Sequence, residues 1–313
     1  MIDITLQNFE AELIHASTRT PVLLDIWAPW CGPCKQLGPL LEKLETAYAG
    51  RFTLAKLDSD AQPEIAGQLS QAFGVRSIPF CVMFVGGQPV DGFVGALPES
   101  QIREFLDKHV PSPDELAAEE EAEAAEQLAA DGDSDAALAK LAEALAIAPH
   151  DETIRADYVK RLLEAGRSAD ARRVYEPLAP KAIADARTSA LGLWLEACEA
   201  AQAARPMAVL DAAIAVSKRD FDARFERAQV LMAGQRPTEA MDELLEILMR
   251  DKAWADQRAR KLYVAILELM TKPQPKAAAA EAKGTLEIAG KAAAVAGDPV
   301  LDGYRRKLSM VLF

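Results

Sequence analysis

Nine residues constrain this chain more than any other stretch: Trp27-Ala-Pro-Trp30-Cys31-Gly-Pro-Cys34-Lys35. Two cysteines separated by Gly32 and Pro33 can close a disulfide within one helical turn, so the motif reads as a redox dithiol. That chemistry works only in a particular local structure. The preceding run Val22-Leu-Leu-Asp-Ile-Trp27 reads as a buried strand. The following run, Cys34 to Tyr48, places Leu37, Leu40, Leu41 and Leu44 on a helical period. Cys31 then falls in the first turn of a helix, where unpaired N–H groups and the macrodipole favour the thiolate.

The rest of the first third mixes the two periods. Strand-like runs occur at Val22–Trp27, Phe52–Leu57, Phe80–Val85 and Asp91–Val94, with Gly86-Gly87 as a hairpin turn. Helix-like runs occur at Phe9–Ser17, Cys34–Tyr48, Ile65–Phe73 and Glu99–Lys108. Helices interleaved with strands predict an α/β fold over residues 1–110.

The pattern then changes. Pro111-Ser-Pro113 ends the last helix, and seven carboxylates with no base lie between Asp114 and Glu126. Residues 111–126 therefore read as an acidic connection that enters the first helix of an all-helical second part, 115–297. Gly132, Ser134 and Ala137 recur 34 residues later as Gly166, Ser168 and Ala171, and Gln235-Arg236-Pro237 with Ala240 is a looser third copy. That period is the tetratricopeptide signature of helix–turn–helix units. Helix pairs are expected near 115–149, 150–183, 186–219 and 220–252, followed by Ala253–Met270. Lys272-Pro-Gln-Pro275 breaks the array, and residues 298–313 form a short amphipathic helix carrying Arg305-Arg306-Lys307 and then Leu308, Met310, Val311, Leu312 and Phe313.

The four cysteines, Cys31, Cys34, Cys81 and Cys198, show no framework spacing, and no second pair or neighbouring histidine suggests a metal site. This is the cysteine usage of a reducing compartment. A net charge of −13 argues against nonspecific nucleic-acid binding. No apolar run reaches the roughly 20 residues of a membrane helix. The first residues lack the basic start and apolar core of a signal peptide. A cytoplasmic location is expected, with no partner of nucleic acid or membrane and no cofactor beyond the redox-active pair Cys31–Cys34.

Asp25-Ile-Trp-Ala-Pro-Trp-Cys-Gly-Pro-Cys-Lys35, Ala55-Lys56-Leu57-Asp58, Phe73-Gly-Val-Arg-Ser-Ile-Pro79 and Phe93-Val-Gly-Ala-Leu97 together resemble thioredoxin along nearly the whole first third. The resemblance implies a thioredoxin fold and gives the residues roles. Cys31 is the exposed attacking thiolate, and Cys34 is the buried resolving thiol. Asp25 is a buried carboxylate below Cys34, whose burial raises its pKa so that it can hold or pass a proton. Lys56 is its partner. Pro79, in the cis form, presents the backbone of Ile78 to a substrate strand. Trp30, Gly32, Pro33, Gly74 and Gly95 shape the rim that admits a polypeptide. Trp27 reads more as core than as contact. Cys81 reads as a buried inert thiol, with a regulatory thiol as the alternative, and Cys198 as packing. His15, His109 and His150 are isolated and receive no role.

Paired-helix solenoids offer a concave surface for peptides and partners. The whole chain is similar to the bacterial chaperedoxin family, and Asp91-Gly-Phe and Tyr304-Arg-Arg-Lys-Leu carry that likeness beyond the dithiol. The resemblance implies a redox chaperone that holds unfolding or oxidation-prone clients and hands them to the GroEL chaperonin. The segment Tyr304 to Phe313 would be the docking element, through Tyr304, Arg305, Arg306, Leu308, Val311, Leu312 and Phe313. The same helix could instead cap the solenoid. A thioredoxin reductase is a candidate electron donor. Some members lack the first cysteine; this chain keeps both, so reductase activity is expected. Some carry a thiol where Ser59 stands, so here a mixed disulfide should run through Cys31. The competing expectation is a reductase whose repeats dock one dedicated substrate.

Overall fold

A computed structural model describes residues 1–271 and 298–312 of the chain. The described residues fall into two compact units, Met1–Pro113 and the part from Asp114 onward.

In the first unit the elements run β1 (Ile2–Asp3), a helical segment over Phe9–Thr18, β2 (Val22–Trp27), α1 (Gly32–Ala47), β3 (Thr53–Asp58), α2 (Pro63–Phe73), β4 (Phe80–Val85), β5 (Gln88–Val94) and α3 (Glu99–Asp107). The strands form one sheet in the order β1-β3-β2-β4-β5. The first three are parallel, and β4 and β5 are antiparallel to their neighbours. A central strand covered on both faces is built of apolar residues, which explains the run of β2, interrupted only by the buried Asp25. Alternate residues serve two cores. Leu23, Cys81, Met83 and Phe93 pack with Leu37, Leu41 and Leu44 of α1 and with Ile102 and Leu106 of α3. Val22, Leu24, Ile26, Phe80, Val82 and Phe84 pack with Leu13, Ile65 and Leu69 on the other face. β1 went unread in the sequence because two residues carry no periodicity.

The second unit is built of α-helices. It contains α4 (Pro113–Ala130), α5 (Ser134–Ile147), α6 (Glu152–Glu164), α7 (Ser168–Tyr175), α8 (Ala186–Gln202), α9 (Met207–Val216), α10 (Phe221–Ala233), α11 (Pro237–Leu248), α12 (Trp254–Met270) and α13 (Pro299–Leu312). The acidic run lies within α4, the first helix of this unit, which it was expected to enter. α7 is shorter than its period suggested, because Pro177 and Pro180 turn Glu176–Lys181 into a tight 3-10 segment. The break at 272–275 and the end of the array up to 297 lie outside the described residues.

The 34-residue repeat has a local cause. Gly132 and Gly166 have φ of 89° and 72°, the left-handed conformation that ends a helix. In each case two bonds close the end: Asp133 N–H to Leu128 O with Gly132 N–H to Ala129 O, and Arg167 N–H to Leu162 O with Gly166 N–H to Leu163 O. Gln235, φ 56°, makes the same pair with Met232 while Arg236 N–H reaches Leu231 O. Ala137, Ala171 and Ala240, early in the following helices, are fully buried. Asp133, Asp151, Asp185 and Asp220 cap α5, α6, α8 and α10 by accepting backbone N–H bonds. An alanine at a left-handed position costs about 1–2 kcal/mol. Gly166→Ala is accordingly expected to lower stability by that amount and Gln235→Gly to raise it, read as opposite shifts of the urea midpoint.

α13 lies against α11 and α12. Leu301 and Leu308 are buried in their core, and Tyr263 Oη donates to Tyr304 O at 2.9 Å. No helix among the described residues is long and apolar enough to cross a membrane.

Candidate active site

β2 ends at Trp27, and the chain turns through Ala28 and Pro29 to enter α1. Cys31 is the N-cap of α1, with extended backbone, and its sulfur accepts the N–H of Cys34 at 3.2 Å. Pro33 stands in the first turn, where its missing N–H costs nothing. Cys31 and Cys34 are joined as a disulfide, with their Cα atoms 5.3 Å apart.

Cys31 differs from its expected exposure: it is only 4% exposed, as is Cys34. The bond draws its sulfur to that of Cys34, and Ala28, Trp27 and Ile78 pack around the pair. What surrounds the disulfide is exposed. Trp30 is 69% exposed, with its indole Nε1 donating to Asp60 Oδ2 at 2.9 Å. Gly32, Pro33 and Gly74 are open to solvent. The Ile78–Pro79 peptide bond is cis, and half-buried Ile78 packs against the disulfide. Pro79 is itself buried, and its carbonyl accepts the N–H of Gly95 at 2.8 Å. Gly74 and Gly95 have φ of 66° and 88°.

Asp25 lies on β2 beneath α1 and is 1% exposed. Burial pushes its carboxyl up to about 6, against the opposing charge of Lys56 and a hydrogen bond from Cys81. Lys56, paired with Asp25 across β2 and β3, is not its bonded partner. Its ammonium binds Glu42 Oε1 on α1, so it reaches Asp25 through its charge alone. The length of the lysine side chain and the room at Gly38 explain this, since Lys56 Nζ lies 3.6 Å from where a Gly38 Cβ would stand.

Glu42 had no role assigned from the sequence, and Cys81, expected as a buried thiol, is indeed fully buried and outside any disulfide. Glu42 carried a usable signal: Cys34, Gly38 and Glu42 are spaced four apart and share one helix face. The place of Cys81 beside Asp25 carried none, because only the pairing of β4 with β2 sets the two opposite each other.

Residues 1–108 match the family model Thioredoxin, and residues 128–191 and 200–283 match models for the tetratricopeptide repeat. Thioredoxin from Chlorobaculum thiosulfatiphilum is 44% identical over 104 residues, covering 33% of this chain and 91% of that protein. Thioredoxin 2 of Chlorobaculum tepidum is 45% identical over 104 residues, covering 33% and 90%. This chain belongs to the thioredoxin family. Thioredoxin of Haemophilus influenzae, 40% identical over 103 residues, again covers 33% of this chain and 91% of the relative. The family likeness to these relatives thus accounts for the first unit, and the chain is a thioredoxin fused to tetratricopeptide repeats.

In a thioredoxin unit so arranged, the chemistry is thiol–disulfide exchange. Such a reaction passes two electrons between a dithiol and a disulfide.

The tail residues sit elsewhere, in the second unit. Leu308 is buried, and Tyr304, Val311 and Leu312 are half-buried against the repeat core. Arg305 binds Asp302 and Thr271, while Arg306 is exposed. Phe313 lies outside the described residues.

Proposed function

We propose that this chain is a redox-active chaperone of the chaperedoxin kind, working in the cytoplasm. The observation that carries the reading is the union, in one chain, of a dithiol site with a stack of paired helices. The repeats hold unfolding or oxidation-prone clients. The dithiol reduces them: Cys31 thiolate attacks a client disulfide, and one client sulfur leaves as thiolate. Cys34 gives its proton to Asp25 and attacks Cys31, releasing the second client thiolate and forming the Cys31–Cys34 disulfide. A thioredoxin reductase restores the dithiol.

Clients then pass to a GroEL-type chaperonin on which α13 docks. Because Tyr304, Leu308, Val311 and Leu312 pack on the repeats, docking exchanges one apolar seat for another. That seat is also what favours the second reading, in which α13 only caps the stack and the repeats dock one dedicated substrate of a reductase.

A pull-down from lysate separates the two. The full chain is expected to bring down chaperonin and varied clients, and chains ending at Gly303 or carrying Arg306→Glu are expected to lose the chaperonin. The charge reversal is included because truncation removes Leu308 and uncovers its seat. A single stoichiometric partner retained by every variant would end the chaperedoxin reading. The variant with both Cys31→Ser and Cys34→Ser should still suppress aggregation of an unrelated client.

A further inference from the structure

We propose that Cys81 is a positioning residue for the resolving step: its thiol holds the Asp25 carboxylate and sets the pH at which that carboxylate takes the Cys34 proton. The inference rests on exchange at Cys31 and Cys34, and is independent of the chaperone reading.

The sheet pairs Lys56 with Asp25, Asp25 with Cys81, and Cys81 with Phe93. A cation, a carboxylate, a thiol and an aromatic ring therefore lie in one row across β3, β2, β4 and β5. α1, which begins with the dithiol, covers this face through Leu37 and Leu41. Cys81 is fully buried and outside any disulfide. Its sulfur lies 3.8 Å from Asp25 Oδ1, where the S–H donates. β5 approaches closely there: a Cβ on Gly92 would stand 2.8 Å from the Cys81 carbonyl oxygen.

Each element packed on Asp25 contributes to its surroundings. β3 brings Lys56, whose ammonium is occupied by Glu42. α1 brings Glu42, which repels the carboxylate, and carries Cys34, which in the proposed step supplies the proton. β4 brings Cys81, which supplies a hydrogen bond. Burial and the charge of Asp25 hold the Cys81 thiol well above its ordinary pKa, so it remains a donor and takes no part in electron transfer. A hydrogen bond to the charged form of an acid favours that form. Cys81 therefore keeps Asp25 ionised at a pH where burial alone would protonate it. In the step itself, the Cys34 proton moves to Asp25 and the Cys34 sulfur bonds to Cys31. The bond between Cys31 and the substrate sulfur breaks, and that sulfur leaves as thiolate. Cys81 neither gains nor loses a proton.

The test uses the full-length chain, reduced, and the chromogenic disulfide dithiobis-nitrobenzoate in stopped flow between pH 5 and 9. Attack by Cys31 releases one thionitrobenzoate, and resolution by Cys34 releases the second. With the first phase as internal reference, Cys81→Val should move the pH midpoint of the second phase upward by about 0.5 to 1 on the pH scale. Cys81→Ser, which keeps a donor and offers a stronger one, should move it downward. A packing role would lower stability in both variants without splitting the midpoints. Unmoved midpoints, or shifts of the same sign, overturn the proposal. If Cys81→Val does not fold, Cys81→Ser decides alone: a downward shift supports the proposal, and any other result overturns it. A wild-type chain that releases no thionitrobenzoate would overturn the exchange reading, and this inference with it.

Discussion

A chain carrying Cys31→Ser is expected to reduce insulin disulfides no faster than the reductant alone does, a loss of at least ~10³-fold. The nucleophile in exchange is a thiolate, and a serine hydroxyl stays protonated at any working pH. Nothing else in the unit can substitute. Cys81 is fully buried and points its thiol at Asp25, and Cys34 lies beneath the helix end it shares with Cys31. The hydrogen bond from Cys34 N–H to the Cys31 sulfur marks which of the two sulfurs the helix N-terminus serves. Insulin turbidity checks the rate. The companion change, Cys34→Ser, leaves the attack intact and removes the resolving step, so non-reducing gels should show a stable adduct with substrate. Full activity in Cys31→Ser would reassign the nucleophile.

Asp25→Asn is expected to stabilise the fold while slowing the chemistry. The folded carboxyl titrates at about 6 against an ordinary 3.8, because burial penalises its charge. The folded state therefore binds this proton more tightly than the unfolded chain does. Below about pH 4 both states are protonated and the group is neutral in both, so burial carries no charge penalty. As pH rises through the interval the unfolded chain ionises first, and stability falls. Above about pH 6 the carboxylate is charged in both states and the full penalty stands, about 3 kcal/mol for a carboxyl displaced this far. Asparagine removes it. Urea titrations should show a gain of about 3 kcal/mol at pH 8 that fades toward pH 4. In the same variant the resolving step should slow about 100-fold, the usual contribution of a positioned base. Equal stability change at both pH values would mean that Asp25 is not charged in its buried site.

The fold was legible wherever a pattern is local. The apolar runs of β2 and β4 announced covered strands, and Leu37, Leu41 and Leu44 announced the face that α1 buries. The repeat showed itself because one turn geometry demands a left-handed residue each time, and Gly132 and Gly166 meet that demand at a constant spacing. β1 was too short to show a period, and the proline-broken end of α7 looked helical by composition. In the site, Cys31, Cys34 and Asp25 sit in one short stretch and could be read together. Glu42 needed its helix face to be compared with that of Cys34.

Local pattern thus specified the chemistry and the kind of each unit: a dithiol at a helix N-terminus, an α/β layer, and paired helices. The hydrogen-bond and charge partners came from long-range packing. Lys56 turned out to bind Glu42, Cys81 to donate a hydrogen bond to Asp25, Cys31 to lie covered in its disulfide form, and α13 to pack on its own repeats. The physical reason is one of range. Helical and strand periods are set by residues a few positions apart, whereas Asp25 and Cys81 stand 56 positions apart and meet only through strand register. Register is fixed by burial of whole faces, and no short window of sequence contains it.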